Sequence, residues 1–73
     1  MIVSDAFAGK RYAVLGLARS GLATVDALAA SGAQVFAWDQ REDARALVAG
    51  KAQIADPMEM DLTGLDALVV SPG

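Results

Sequence analysis

The feature that most constrains the fold is a run of small residues, Gly16 to Gly21, which lies between an apolar segment and a helical pattern. The apolar residues 12–15 predict a buried strand that stops at Gly16. After Gly21, apolar residues recur at helical spacing. N–H groups at the start of a helix have no intrahelical partner, and glycine lets a ligand approach the backbone closely. The segment therefore predicts a turn that binds a nucleotide or a diphosphate.

The spacing of the small residues matches dinucleotide-binding turns at two of three positions. Such turns have the pattern Gly-x-Gly-x-x-Gly, whose middle glycine makes room for the pyrophosphate. Here the three positions are Gly16, Ala18 and Gly21, so a Cβ stands where the pyrophosphate of NAD would come closest. A purely structural interpretation also stays open, in which Gly16 ends a strand and Gly21 lets a helix pack tightly on the sheet.

Composition excludes several classes of function. The net charge of −3 disfavours binding to nucleic acid or to an anionic membrane. With no cysteine and no histidine, the chain has no disulfide and no triad built on these residues, and we expect no metal site. No apolar stretch reaches the roughly 18 to 20 residues of a membrane-spanning helix, so we expect a cytoplasmic protein. The 73 residues are about half a typical domain, which predicts a fragment of a larger multidomain protein.

Hydrophobic periodicity predicts alternating strands and helices. The strands are predicted at 11–15, 34–38, 52–55 and 67–70, and the helices at 20–30 and 42–48, with a short irregular helix around 58–65. This alternation predicts an α/β fold: a Rossmann-like parallel sheet with flanking helices, truncated to three or four strands. All 73 residues are assigned to this one unit.

Several side chains carry specific structural expectations. Ser20 is expected to cap the first helix and Gly32 to end it. Leu47 and Val48 are expected to face inward from the second helix. The irregular helix is expected to pack on the sheet through four apolar residues, namely Met58, Met60, Leu62 and Leu65.

Three segments are predicted to meet at one edge of the sheet. Ligands of parallel sheets bind outside the carboxyl ends of the strands, where Gly16–Gly21, Asp39–Arg41 and Ser71–Gly73 all fall. Asp39 follows the glycine turn by about twenty residues, the separation at which such units place an acid to bind a ribose hydroxyl. Alternatively, Asp39 caps the next helix, whose first turn would then be acidic.

The order and spacing of these motifs resemble a known family. They are Gly9-Lys10, residues 14–23 (Val-Leu-Gly-Leu-Ala-Arg-Ser-Gly-Leu-Ala), Val25-Asp26, residues 38–41 (Trp-Asp-Gln-Arg) and residues 66–73, which end in Val-Ser-Pro-Gly. Together they resemble, over nearly the whole chain, the N-terminal domain of the D-glutamate-adding ligases of peptidoglycan synthesis (MurD), in the Mur ligase family. In that family the domain holds the UDP part of UDP-N-acetylmuramoyl-L-alanine.

The resemblance implies a set of binding residues. Ala18, Arg19 and Ser20 correspond to the turn that binds the diphosphate, and the N–H of Gly21 is a further candidate donor. The uridine would lie on Asp39, Gln40 and Arg41. Ser71 and Gly73 correspond to the loop that closes the pocket. The guanidinium of Arg41 is suited to bind or stack on the uracil, whereas Arg19 is equally well interpreted as a solvated side chain.

The family reaction joins D-glutamate to the substrate carboxylate through an acyl phosphate, using ATP and magnesium. The resemblance implies that the remaining central and C-terminal domains supply the ATP and amino-acid sites, since the chain has no Gly-x-x-x-x-Gly-Lys-[Ser/Thr] loop. No catalytic residue is therefore predicted here, and the 73 residues alone are expected to be inactive. Three alternatives remain: an NAD(P)- or FAD-binding half of an oxidoreductase, a nucleotide-sensing regulatory module, and another Mur ligase of the same pathway.

Overall fold

The computed structural model describes residues 7–70, which form a parallel sheet with helices between successive strands. The strands are β1 (Arg11–Leu15), β2 (Gln34–Trp38), β3 (Gln53–Ile54) and β4 (Ala67–Val70). The helices are α1 (Arg19–Ala30) and α2 (Glu42–Ala46), and a 3-10 turn (Leu62–Gly64) precedes β4. The predicted α/β class, with a four-stranded parallel sheet, is confirmed.

The register of the sheet brings the carboxyl ends of three strands to one edge. The strand order is β3-β2-β1-β4, and all neighbouring strands are parallel. Leu15 at the end of β1 pairs with Trp38 at the end of β2 on one side and with Val70 at the end of β4 on the other. The carboxyl ends of these three strands therefore lie at the same level of the sheet.

The core lies around β1 and β2, where α1 and the segment after α2 cover the sheet. Val14 and Val25 are fully buried, and Leu17, directly after β1, is only 2% exposed. Tyr12, Ala13 and Val14 are all buried, as expected for a central strand covered on both faces. Gly32 follows α1 with a φ of 83°, which glycine adopts without strain, and the prediction that it ends the helix is confirmed.

Two expectations about the helix ends are wrong. Ser20 does not cap α1, because the helix begins one residue earlier, at Arg19, and its N-cap is Ala18, which has no side-chain capping bond. Leu47 does not face inward: it is 65% exposed, whereas Val48 is 1% exposed. The second helix ends at Ala46, and the turn that follows directs only Val48 into the core.

The expected packing of residues 58–65 is also wrong in part. Met58 is 90% exposed and Leu62 is 43% exposed, so neither fills the core, while Met60 and Leu65 are partly buried. The helix there is reduced to the 3-10 turn, whose N-cap Asp61 accepts a hydrogen bond from the N–H of Thr63. A side chain carboxylate therefore organises this segment in place of apolar packing.

The adjacent residues Leu47 and Val48 provide a test of the core. Val48→Ala is expected to lower the free energy of unfolding by about 1–3 kcal/mol, because a fully buried side chain loses its contacts. Leu47→Ala is expected to change it by less than about 0.5 kcal/mol, since that side chain is exposed. Urea unfolding followed by circular dichroism measures both, and equal losses would contradict the observed orientation.

Candidate functional site

A cleft of about 440 Å³ opens at the carboxyl ends of β1 and β2. Its volume is within the range of small-molecule sites. The wall consists of the turn after β1, the last residue of β2, the loop between β2 and α2, and one residue of α2. These residues are Gly16, Leu17, Ala18, Trp38, Asp39, Gln40, Arg41 and Ala44. The sequence-based prediction that these two segments meet at one edge of the sheet is confirmed.

The turn after β1 is fixed at its start by the backbone. Gly16 has a φ of 91°, a backbone conformation that residues with a Cβ rarely adopt. Its N–H donates to the carbonyl oxygen of Trp38 at 2.9 Å, which extends the β1–β2 pairing by one residue. Next to it, the Leu17 side chain is buried in the core. The backbone direction after β1 is therefore set before the helix begins.

Asp39 ties this turn to the loop after β2. Its Oδ2 accepts a hydrogen bond from the N–H of Leu17 at 2.8 Å, and its Oδ1 accepts one from the N–H of Arg41 at 2.9 Å. The interpretation of Asp39 as the cap of α2 is not supported, because the N-cap of α2 is Arg41. The acidic first turn expected for α2 is confirmed, since it contains Glu42 and Asp43.

The two backbone N–H groups also control the charge of Asp39. Hydrogen bonds from Leu17 and Arg41 lower the pKa of the Asp39 carboxyl below its ordinary value of 3.8, and the positive side chains of Arg41 and Arg45 act in the same direction. Partial desolvation opposes these effects without reversing them. Asp39 is therefore a carboxylate at neutral pH, and each oxygen keeps a second lone pair for a ligand donor.

Sequence reasoning missed the contact of Arg45 with Trp38, a residue of the cleft wall. The Arg45 guanidinium lies 4.5 Å from the centre of the Trp38 ring, and its Nη1 donates to the carbonyl oxygen of Asp39 at 3.0 Å. A cation–π contact of this kind stabilises the indole orientation. One signal was available: Arg41 and Arg45 are four residues apart, which places them on the same side of a helix.

The remaining predicted site residues differ in their surroundings. Arg41 is exposed, and its guanidinium forms an ion pair with Asp43 at 2.8 Å. Ala18, Arg19 and Ser20 are exposed at the start of α1, whereas Gly21 is buried. The burial of Gly21 fits the structural interpretation, in which glycine allows close packing of the helix.

Ser71 and Gly73 lie outside the described residues, so their predicted role at the site stays a prediction. The last described residue, Val70, pairs with Leu15 immediately before the glycine turn. Within residues 7–70, no group of three or more potential metal ligands is close enough to hold an ion. None of the helices in the same range has the length and apolar character to span a bilayer.

The lowered pKa of Asp39 predicts a pH-dependent stability. The Asp39 carboxyl holds its proton more weakly in the folded chain than in the unfolded chain. Between the folded-state pKa and the unfolded-state pKa of this group, the unfolded chain therefore binds more protons. The stabilisation is thus fully present above the unfolded-state pKa and is lost as pH falls through the lower, folded-state pKa. The difference in free energy of unfolding between wild type and Asp39→Asn should be constant above about pH 5 and shrink below about pH 4. Urea unfolding across this range checks it; a difference that persists unchanged at pH 3 would contradict it.

Comparisons with known proteins identify homologues along the whole chain. It is 64% identical over 73 residues to the UDP-N-acetylmuramoylalanine–D-glutamate ligase of Novosphingobium aromaticivorans and 66% identical over 74 residues to that of Sphingopyxis alaskensis. The corresponding ligase of Zymomonas mobilis is 51% identical over 82 residues. These alignments include 100% of this chain but only 16%, 17% and 19% of the respective relatives. No family model and no solved structure matches the chain. From end to end, the chain is homologous to a segment of the UDP-N-acetylmuramoylalanine–D-glutamate ligases.

Proposed function

We propose that this chain is the N-terminal UDP-binding domain of a ligase that adds D-glutamate to UDP-N-acetylmuramoyl-L-alanine. The observation that supports this most directly is the shared cleft, in which the turn after β1 and the loop after β2 lie side by side. A nucleoside diphosphate needs donors for its phosphates and a separate recognition surface for its base. The two walls of the cleft supply these from different segments.

The diphosphate is assigned to the start of α1. The first turn of a twelve-residue helix presents N–H groups and partial positive charge to an anion. Ala18 and Arg19 are exposed there, so a phosphate can reach their backbone, and the Ser20 hydroxyl is a further donor. The Cβ of Ala18 still narrows the approach relative to the glycine that dinucleotide-binding turns carry. The turn thus departs from the NAD-binding pattern at its middle glycine, which counts against NAD as the ligand.

The uridine is assigned to the loop after β2. Gln40 is exposed and has an amide that both donates and accepts, as the edge of uracil requires. Asp39 offers its remaining lone pairs to a uracil N–H or a ribose hydroxyl. Arg41 is held by an exposed ion pair with Asp43, which contributes little free energy, so its guanidinium is free to turn toward the ligand at small cost.

The complete reaction requires groups outside this chain. In the proposed enzyme, ATP and magnesium activate the substrate carboxylate and D-glutamate attacks it, on the central and C-terminal domains. The 73 residues contain no phosphate-binding lysine loop of the Gly-x-x-x-x-Gly-Lys-[Ser/Thr] type. We therefore assign to this chain only the binding of the nucleotide part of the substrate. Ser71 and Gly73 are proposed to close the pocket over it.

Titration of the purified chain with UDP tests this assignment. Amide resonances of residues 16–21 and 39–41 are expected to shift together on one binding curve, because both segments line the same cleft. Fluorescence of Trp38, the single tryptophan, is expected to change along the same curve, since its ring lies in the cleft wall. NAD at equal concentration is expected to cause much smaller changes.

A second groove provides the internal control for this titration. It lies between the end of α1 and the turn before β3, and Asp26, Gly50 and Lys51 form part of its wall. Amides there should not shift with UDP. The assignment would be contradicted if UDP moved this groove and not the cleft, or if NAD produced the cleft shifts and UDP did not.

A further inference from the structure

We propose that Asp39 is a positioning residue: its carboxylate holds the diphosphate-binding turn in place, and its loss weakens binding of the phosphates more than binding of the base. This rests on the proposed function, since it concerns how the same UDP site is built. It differs from a role limited to base or ribose contact, in which Asp39 would act on the nucleoside alone. The distinction follows from what the two carboxylate oxygens contact.

The first support is the geometry of the carboxylate. Oδ2 binds the N–H of Leu17, 22 residues earlier in the chain, at 2.8 Å, and Oδ1 binds the N–H of Arg41 at 2.9 Å. One side chain thus joins the two walls of the cleft. The bond to Leu17 lies one residue beyond the last backbone bond between the walls, from Gly16 to Trp38. Asp39 therefore extends the connection of β1 and β2 to a place that backbone pairing does not reach.

The second support is the position of Leu17 itself. Its side chain is only 2% exposed and is fixed in the core, while its N–H is fixed by Asp39. These two anchors define the orientation of the peptide that enters Ala18, the N-cap of α1. The N–H groups that follow are the ones proposed to meet the phosphates. Without the carboxylate, the turn keeps its apolar anchor and loses its polar one.

The third support is electrostatic. A bare carboxylate beside a diphosphate would repel it, so an acid at this place weakens phosphate binding unless its charge is balanced. Here two backbone N–H groups bind the carboxylate, and the Arg45 guanidinium donates to the carbonyl oxygen of the same residue at 3.0 Å. Asp39 is thereby held from both its side chain and its backbone. Because its negative charge is balanced by these donors and its position is fixed, the carboxylate can position the backbone of Leu17 and Arg41.

The test compares ligands that differ only in their phosphates. Affinities for uridine, UMP and UDP are measured by amide-shift titration for wild type, Asp39→Asn and the control Asp26→Asn. The control removes the same charge from a carboxylate that pairs with Lys51 on the surface, away from the cleft. In Asp39→Asn, the UDP affinity should fall about tenfold, as expected when a backbone donor loses its acceptor, while the uridine affinity falls less than about threefold. The control should bind all three ligands like wild type.

Equal losses for uridine and UDP would overturn the positioning role and leave the UDP site standing. Failure of wild type to bind UDP would instead refute the proposed function. A measurement on the wild-type chain without ligand tests the role of Asp39 even if UDP does not bind or the Asp39→Asn variant does not fold. In wild type, the amide proton shifts of Leu17 and Arg41 should follow the titration of the Asp39 carboxyl carbon with one midpoint, and the Ala18 and Arg19 amides should move with them. If the amide proton shifts of Leu17 and Ala18 do not change as the Asp39 carboxyl titrates, the inference is overturned.

Discussion

Parallel pairing of β1 with β2 is the constraint on which the rest of the site depends. The register brings Leu15 and Trp38 to the same level, so the glycine turn and the loop after β2 must leave the sheet side by side. Backbone geometry alone then continues the pairing to Gly16, whose positive φ turns the chain away. Beyond that point a side chain, Asp39, maintains the connection. The cleft is thus a product of sheet register extended by one carboxylate.

The proposed binding of a diphosphate to an acidic chain is physically consistent once local charges are separated from the net charge. The net charge of −3 governs long-range attraction, and it disfavours nucleic acid as a partner. The proposed anion binding at the cleft depends instead on N–H groups at the start of α1. Asp39, an acid in the wall of the cleft, is bound by the N–H groups of Leu17 and Arg41, while Asp43 is paired with Arg41. The local field is therefore less negative than the composition alone indicates.

Sequence reasoning succeeded where local chemistry and periodicity agreed. The bounds of β1, β2 and β4 followed from short apolar runs, and the meeting of the two loops followed from parallel topology. It failed where tertiary packing decided the outcome. Periodicity treats Leu47 and Val48 alike, but the early end of α2 exposes the first and buries the second. Met58 looked like a core residue because hydrophobicity does not reveal that a turn held by polar contacts leaves it in solvent.

The same distinction applies to the site. Spacing after the glycine turn was enough to single out Asp39, yet its bond to the Leu17 N–H depends on side-chain geometry that spacing does not specify. The contact of Arg45 with Trp38 is of the same kind.

The most direct measurement of the central claim is a crystal structure of the chain with UDP. Phosphate oxygens are expected within hydrogen-bond distance of the Arg19 and Ser20 backbone nitrogens, with the uracil against residues 39–41. A nucleotide bound elsewhere on the chain, or one whose base occupies the start of α1, would contradict it.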